Sequence, residues 1–269
     1  MFSGLYPKSV APGWKSVILV IGLPAALLCQ AASTAPSYSA ASIVNAATQT
    51  AGPLAPNALA TLYGTNLAFD TVAASTLIGG TLPSSLDGVS LSVGNIAAPL
   101  LFVSPGQINF IVPYDLLPDT VTVYVARQNL AGPVVTIQLN ATAPGLFSWN
   151  GNQAIAIHLN GTLISADSPA HAGEIVVVYA AGLGRTSPDT SSGRIAGSAA
   201  SIVAAAQMQV LLNGAPLPAA SVLYAGLAPG FAGLYQINLV LPTPVPVNPQ
   251  IQIAFGPLVS PASIQLAAQ

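Results

Sequence analysis

Two stretches decide the fold: GQINFIVP at Gly106–Pro113 and YQINLVLP at Tyr235–Pro242. Each alternates polar and apolar residues with a period of two, the periodicity of a strand with one face in a core. Gln107 and Asn109 share one face, as do Gln236 and Asn238, while Ile108, Phe110 and Val112 point to the interior. The alignment sets Gln107, Ile108, Asn109 and Pro113 over Gln236, Ile237, Asn238 and Pro242, an offset of 129. Upstream, ALATLYGTNLA (Ala58–Ala68) matches EIVVVYAAGLG (Glu174–Gly184), with Tyr63 over Tyr179 and Leu67 over Leu183, an offset of 116. The second copy thus carries thirteen more residues between the motifs (129 − 116), and the polar tract from Arg185 to Ser201 is the expected place for them. Duplication in order and spacing says more about architecture than any single strand. Paired amides both donate and accept, which suits sugar hydroxyls or an open sheet edge; the plainer expectation is that they tie down a neighbouring loop.

Working outward, β-branched or alternating runs mark Ser42–Ala46, Leu59–Tyr63, Val89–Val93, Pro99–Val103, Gln107–Val112, Thr120–Ala126 and Val134–Leu139. A second series runs Ala154–Leu159, Glu174–Tyr179, Gln207–Leu212, Ala219–Tyr224, Leu234–Leu241, Gln250–Phe255 and Ser263–Ala267. Turn signals such as Asp87-Gly88, Asn160-Gly161 and Asn213-Gly214 separate them. With 24 Gly and 24 Pro in 269 residues, long helices are excluded. The expected fold is all-β, two tandem sandwiches related by duplication, over residues 36–143 and 144–269, behind a signal helix and leader over residues 1–35. The short Ala143–Phe147 junction and the lack of a charged linker imply end-to-end packing with limited flexing.

The first residues read as an export address. Lys8 and Lys15 precede the apolar run Val17–Leu28, and small residues follow at Ala31, Ala32, Ser33 and Ala35. Twelve apolar residues suit a secretory signal and fall short of the ~20 that span a bilayer. An uncleaved anchor is one alternative; lipidation at Cys29 is another, opposed by Leu28, where such signals want a small residue. Cleavage removes the single cysteine, so core packing alone must hold the fold. Charged residues are 4% of the chain, against about 25% in ordinary proteins. Five basic residues form no nucleic-acid footprint. Beyond residue 35 the longest apolar stretch is Ile175–Ala181, too short to span a membrane. A transmembrane barrel fits poorly, because aromatics total 6% and IVVVYA is apolar on both faces.

The set Asn45-Ala46-Ala47, Tyr63-Gly64-Thr65-Asn66-Leu67, Leu86-Asp87-Gly88-Val89 and SPGQINFIVP resembles the acidobacterial (Solibacter-type) uncharacterised C-terminal domain family. So do Ala143-Pro144-Gly145-Leu146-Phe147, Tyr179–Gly184 and the run from Tyr224 to Asn238. The resemblance runs from about Ser42 to the C-terminus. It implies an exported module with no assigned activity and marks Tyr63, Gly64, Gln107, Asn109, Pro113, Gly182, Gly184, Gln236, Asn238 and Pro242 as signature positions of structural role. Gly64-Thr65-Asn66-Leu67 and Ala181-Gly182-Leu183-Gly184 are also similar to IPT/TIG modules, which implies immunoglobulin-like sandwiches.

Catalytic chemistry is scarce. The mixed cluster Asp167, His171 and Glu174 falls within eight residues and could supply a base, an orienting acid or metal ligands; the plainer reading is a loop entering a strand with His171 solvated. His158 belongs to an alternating strand, on its outer face or edge. Two histidines and no mature cysteine build no closed zinc site without carboxylates, and no G-x-S-x-G elbow or G-x-G-x-x-G fingerprint occurs. Asn140-Ala-Thr142 and Asn160-Gly-Thr162 match glycosylation sequons. No cofactor or metal is expected. The reading is therefore an exported, non-catalytic interaction or adhesion module of the cell surface, periplasm or medium, with a surface polysaccharide or envelope protein as partner. A carbohydrate-binding module using Trp149, Tyr224 or Tyr235 as stacking platforms is the alternative, and a hydrolase using Asp167, His171 and Glu174 is remote.

Overall fold

Short strands follow wherever the alternation sets an apolar row against a core. The computed structural model describes residues 34–269 apart from 76, 78, 79 and 191; the expected signal run and Cys29 lie outside the described residues. Ten principal strands carry the architecture. In the first half they are β1 Leu59–Tyr63, β2 Val89–Val93, β3 Leu100–Ser104, β4 Gln107–Ile111 and β5 Thr120–Arg127. In the second half they are β6 Ile175–Ala181, β7 Met208–Leu212, β8 Val222–Leu227, β9 Tyr235–Val240 and β10 Ile251–Phe255. The fold is all-β, and the named ladders are antiparallel.

Each half is a sandwich. In the first, one sheet runs Ile43–Asn45, β1, β4, β3, Val72–Ala73, and the other is built on β5 and β2. In the second, one sheet runs Gly145–Leu146, β6, β9, β8, Ala200–Ile202, Thr186–Ser187, with Ala156–His158 also on β6; the other is built on β7 and β10. Leu62, Leu91, Val93, Ile108, Phe110, Val123 and Val125 close one core, and Val176, Val178, Val210, Tyr235, Ile237, Leu239 and Ile253 the other. Each such fully buried aliphatic side chain is worth about 1.5–3 kcal/mol.

The duplication extends to register. Thr61, Leu62 and Tyr63 pair with Asn109, Ile108 and Gln107; Val177, Val178 and Tyr179 pair with Asn238, Ile237 and Gln236. The ladder is interrupted between Leu100 and Phe102 in one copy and between Val222 and Tyr224 in the other, a bulge at the same place. The second sheets match too: Leu91 and Val93 face Val125 and Val123, as Val210 and Leu212 face Ile253 and Ile251.

These registers relocate the thirteen extra residues. The offset climbs from 116 at β1/β6 to 119 at β2/β7, 122 at β3/β8 and 129 at β4/β9. The Arg185–Ser201 tract therefore lies in an interval that gains only three. Another three lie in the approach to β8, where Ala219–Ser221 forms a 3-10 turn. The remaining seven lengthen the two-residue Pro105-Gly106 turn, between paired Ser104 and Gln107, to the nine residues between paired Gly226 and Gln236, which include the loop Ala228–Leu234.

The halves are joined tightly, and Thr34–Gln269 forms one compact unit. Asn45 accepts from the Ala47 amide at 2.9 Å and donates to the Ala143 carbonyl at 3.0 Å. Gly182 (φ 75°) and Gly184 (φ 88°) run against the linker: a Cβ would lie 2.0 Å from the Ala143 oxygen at one and 2.5 Å from the Ala141 oxygen at the other. The Arg185–Ser201 tract docks onto the first sandwich. The Leu82 amide donates to Gly193 O, Ile195 N–H to Gly80 O, and Tyr114 N–H to Ser192 Oγ. Arg185 donates to Leu116 O at 3.2 Å and covers the Tyr114 ring. Among the described residues no helix is long and apolar enough to cross a membrane.

Candidate functional site

Strand parity sends the repeated amides outward together, and each pair shares one hydrogen bond. Gln107 Nε2 donates to Asn109 Oδ1 at 2.8 Å, and Gln236 Nε2 to Asn238 Oδ1 at 3.1 Å. Among the described residues these amides bond no loop, contrary to the plainer expectation. Pro113 and Pro242 follow the strand ends at Ile111 and Val240, where a residue without an N–H stops the ladder. Gly64 N–H donates to Gly106 O at 3.1 Å, whereas Gly182 and Gly184 belong to the joint described above.

The outer faces of the two copies differ around the repeated tyrosine. Tyr63 donates its hydroxyl to Gln49 Oε1 at 2.7 Å, and Thr61 donates to Asn109 Oδ1. Val177 replaces Thr61 in the second copy, and the Tyr179 hydroxyl makes no hydrogen bond among the described residues. Backbone pairing sets two further residues beside Tyr179: Phe147 N–H donates to Tyr179 O, and Tyr179 N–H to Ile155 O. The register places Phe147 over Ser39 and Ile155 over Ser42 (Ser37 with Thr65 against Gly145 with Ala181; Ile43 with Leu62 against Ala156 with Val178). The seven-residue insertion then brings Phe231, 55% exposed, over the same face. Phe147, Ile155, Tyr179, Phe231 and Leu234 line an open cleft of about 380 Å³. Its volume is in the ~300–1,000 Å³ range of small-molecule sites. Among the described residues no charged side chain lines it.

The loop that carries Phe231 is held at several points. Ala228 N–H bonds Leu234 O, Phe231 N–H bonds Ala228 O, Gly230 N–H bonds Ala196 O, and Ala196 N–H bonds Phe231 O, at 2.8–3.2 Å. An exposed phenylalanine is thus displayed on a fixed backbone. The aromatics singled out from sequence do other work. Tyr235 is fully buried, donates to Gly184 O, and burial holds its hydroxyl far above the usual tyrosine range. Tyr224 donates to Leu227 O and accepts from Ala200 N–H. Trp149 is half-buried, and its indole nitrogen is enclosed. Neither Trp149 nor these two tyrosines belongs to the cleft.

The acid and histidine residues assemble differently from the sequence cluster. Asp167 and His171 are exposed, and Glu174 reaches His158 instead. His158 faces inward at the end of its edge strand, not outward. Its Nδ1 bonds Glu174 Oε1, and its Nε2 lies 3.2 Å from both the carbonyl oxygen and Oγ of Ser168. The other Glu174 oxygen accepts the His171 amide at 2.9 Å. A hydrogen bond to Glu174 raises the His158 pKa; burial opposes this, and the Ser168 carbonyl adds to it. Burial pushes Glu174 upward, but the His158 and His171 hydrogen bonds outweigh it and leave the carboxyl below its ordinary range. Serine, histidine and acid in sequence of contact invite comparison with a nucleophilic triad. While the imidazole is protonated, the state its raised pKa favours, both ring nitrogens donate, Nδ1 to Glu174 and Nε2 toward the Ser168 oxygens, and no lone pair faces the serine. The trio is an ionic clamp. Among the described residues no group of three His, Cys, Asp or Glu is placed to hold a metal.

No protein-family model matches the chain, and no curated protein matches it. Among solved structures, the chain is similar to SGBP-B of a Bacteroides ovatus mixed-linkage glucan utilization locus, in complex with a mixed-linkage heptasaccharide (10% identity, 88% of this chain and 43% of that one, TM-score 0.33). It is also similar to the plexin A4 extracellular region (11% identity, 90% and 19%, TM-score 0.30) and to the tandem Ig repeats of Dlar (9% identity, 88% and 91%, TM-score 0.20). The chain thus spans about a fifth of the plexin and under half of SGBP-B. These likenesses are loose, and the sandwich assignment rests on strand order and register.

Proposed function

We propose that the chain is an exported, non-catalytic interaction module: two rigidly joined immunoglobulin-like sandwiches that present a ligand face on the second. The carrying observation is the contrast between the copies. In the first, Tyr63 is exposed and gives its hydroxyl to Gln49; in the second, half-buried Tyr179 makes no hydroxyl hydrogen bond among the described residues and lines an apolar cleft with Phe147 and Phe231. Exposed apolar surface on a fixed frame is retained where something binds. Export is supported by the Lys8, Lys15 and Val17–Leu28 signal pattern, and absence of catalysis by the closed state of the Ser168–His158–Glu174 clamp.

The test is pull-down of envelope and medium fractions with the mature protein beside Phe231→Ala. A component retained by the wild type and lost from the variant supports the reading. Retention unchanged by the substitution removes the cleft from it.

A further inference from the structure

We infer that the Phe147–Tyr179–Phe231 cleft takes a neutral polysaccharide chain, its sugar faces on the Tyr179 and Phe231 rings and its hydroxyls on the Gln236–Asn238 amides. The inference rests on the proposed binding role of this face and adds the ligand class.

The chemistry narrows the ligand in three steps. First, the cleft is uncharged, in a protein whose charged residues are 4% of the chain. Nucleic acids, uronic-acid polymers and acidic peptides need countercharges that are absent here. Second, the lining is aromatic and aliphatic, and the β6/β9 ladder sets amides beside it. Tyr179 pairs with Gln236 across the β6/β9 ladder, which sets their side chains about 4.5–5.5 Å apart at Cβ. Gln236 uses its Nε2 on Asn238 Oδ1, so Gln236 Oε1 and Asn238 Nδ2 remain open, one an acceptor and one a donor. A pyranose has the matching duality, with C–H faces that pack on rings and a rim of hydroxyls that both donate and accept. A purely apolar peptide segment would leave these amides unused. Third, the frame is set before the ligand arrives. Phe231 is anchored by the four backbone bonds of its loop, and Phe147 and Ile155 by their bonds to Tyr179. Rings already in place spare the ordering cost that weakens binding by mobile loops.

The first copy supplies the internal control. Its equivalent face has Ser39 and Ser42 where the second has Phe147 and Ile155, and a two-residue turn where the second has the Phe231 loop. Binding is therefore expected on one sandwich only.

Affinity electrophoresis of the mature protein through gels holding hydroxyethylcellulose, glucomannan, arabinoxylan or pullulan tests the inference, with alginate as the charged comparison. The expected result is retardation by at least one neutral polymer and none by alginate, insensitive to 0.5 M NaCl. Phe231→Ala and Gln236→Leu should each weaken retardation at least tenfold, whereas Tyr63→Phe should leave it unchanged; melting curves confirm that each variant is folded. No retardation by any neutral polymer overturns the ligand class. If an envelope protein is meanwhile lost on Phe231→Ala, the binding role stands without the polysaccharide. Retardation that survives both substitutions overturns the site.

Discussion

Arg127 and Phe255 occupy the same position in the two copies: each ends its strand and pairs across a tight turn with a leucine, Leu130 or Leu258. The arginine is 3% exposed, lies 4.0 Å over the Phe69 ring, and donates to the Thr34 carbonyl at 2.6 Å. The first copy thus uses a buried cation to fasten the chain entering it, where the second uses an apolar plug. Arg127→Ala removes a ring contact worth about 0.5–2 kcal/mol and a charged hydrogen bond worth about 1.5–3. A loss of about 2–4 kcal/mol is expected, read as a Tm lower by about 5–15 °C. A shift under 2 °C would contradict the fastening role.

Gly182 and Gly151 separate conformational from steric cost. Both have positive φ, but a Cβ at Gly151 meets nothing within 4 Å, whereas at Gly182 it lies 2.0 Å from the Ala143 oxygen. Gly151→Ala should cost about 1 kcal/mol for the left-handed backbone alone. Gly182→Ala must also displace the linker and should cost more than about 3 kcal/mol. Urea denaturation compares the two, and equal midpoints would show that the linker yields freely.

The His158–Glu174 clamp predicts a stability window. The raised His158 pKa means its contribution is complete below about pH 6.5 and fades as pH climbs through the folded-state value. The lowered Glu174 pKa means its contribution is complete above about pH 4.5 and fades on acidification. The pair is therefore worth most between about pH 4.5 and 6.5. His158→Gln should flatten the decline in Tm between pH 6 and 9 relative to wild type. An unchanged slope would remove the clamp from the account.

The joint predicts mechanical unity. With the linker seated against Gly182 and Gly184 and the Arg185–Ser201 tract docked on the first sandwich, scattering should fit one rigid particle and melting should show one transition. A broad elongated ensemble would contradict this.

Much of the architecture was legible because the duplication repeats its own words. QIN fixed two central strands, and their outward amides were readable from parity alone. The distribution of the extra residues was not, since VSLSV and MQVLL share pairing geometry without one identical residue, and LLFVS and VLYAG share only Leu101 and Leu223. Ser263–Ala267 failed as a strand, touching its neighbours by isolated bridges at Gln265, and the expected Ala219–Tyr224 strand begins only at Val222, after a 3-10 turn over Ala219–Ser221. The cleft stayed hidden because Phe147, Tyr179 and Phe231 come from three distant segments. The one available signal was Phe231 itself, an aromatic residue stranded in a Pro-Gly loop. Proximity along the chain misled the reading of the acids: Glu174 lies three residues from His171 but chooses His158, sixteen away on the neighbouring strand.

Shared register has a cost during folding. Because β4 could zip onto β6, or β9 onto β1, with every polar and apolar residue on its proper side, the unfolded chain holds a decoy partner for each central strand. Repeat proteins misassemble by such exchanges. The unequal connections between strands, a two-residue turn in one copy and a seven-residue loop in the other, give each hybrid sheet the wrong span to close. The same loop that lifts Phe231 into solvent therefore also proofreads which half a strand belongs to.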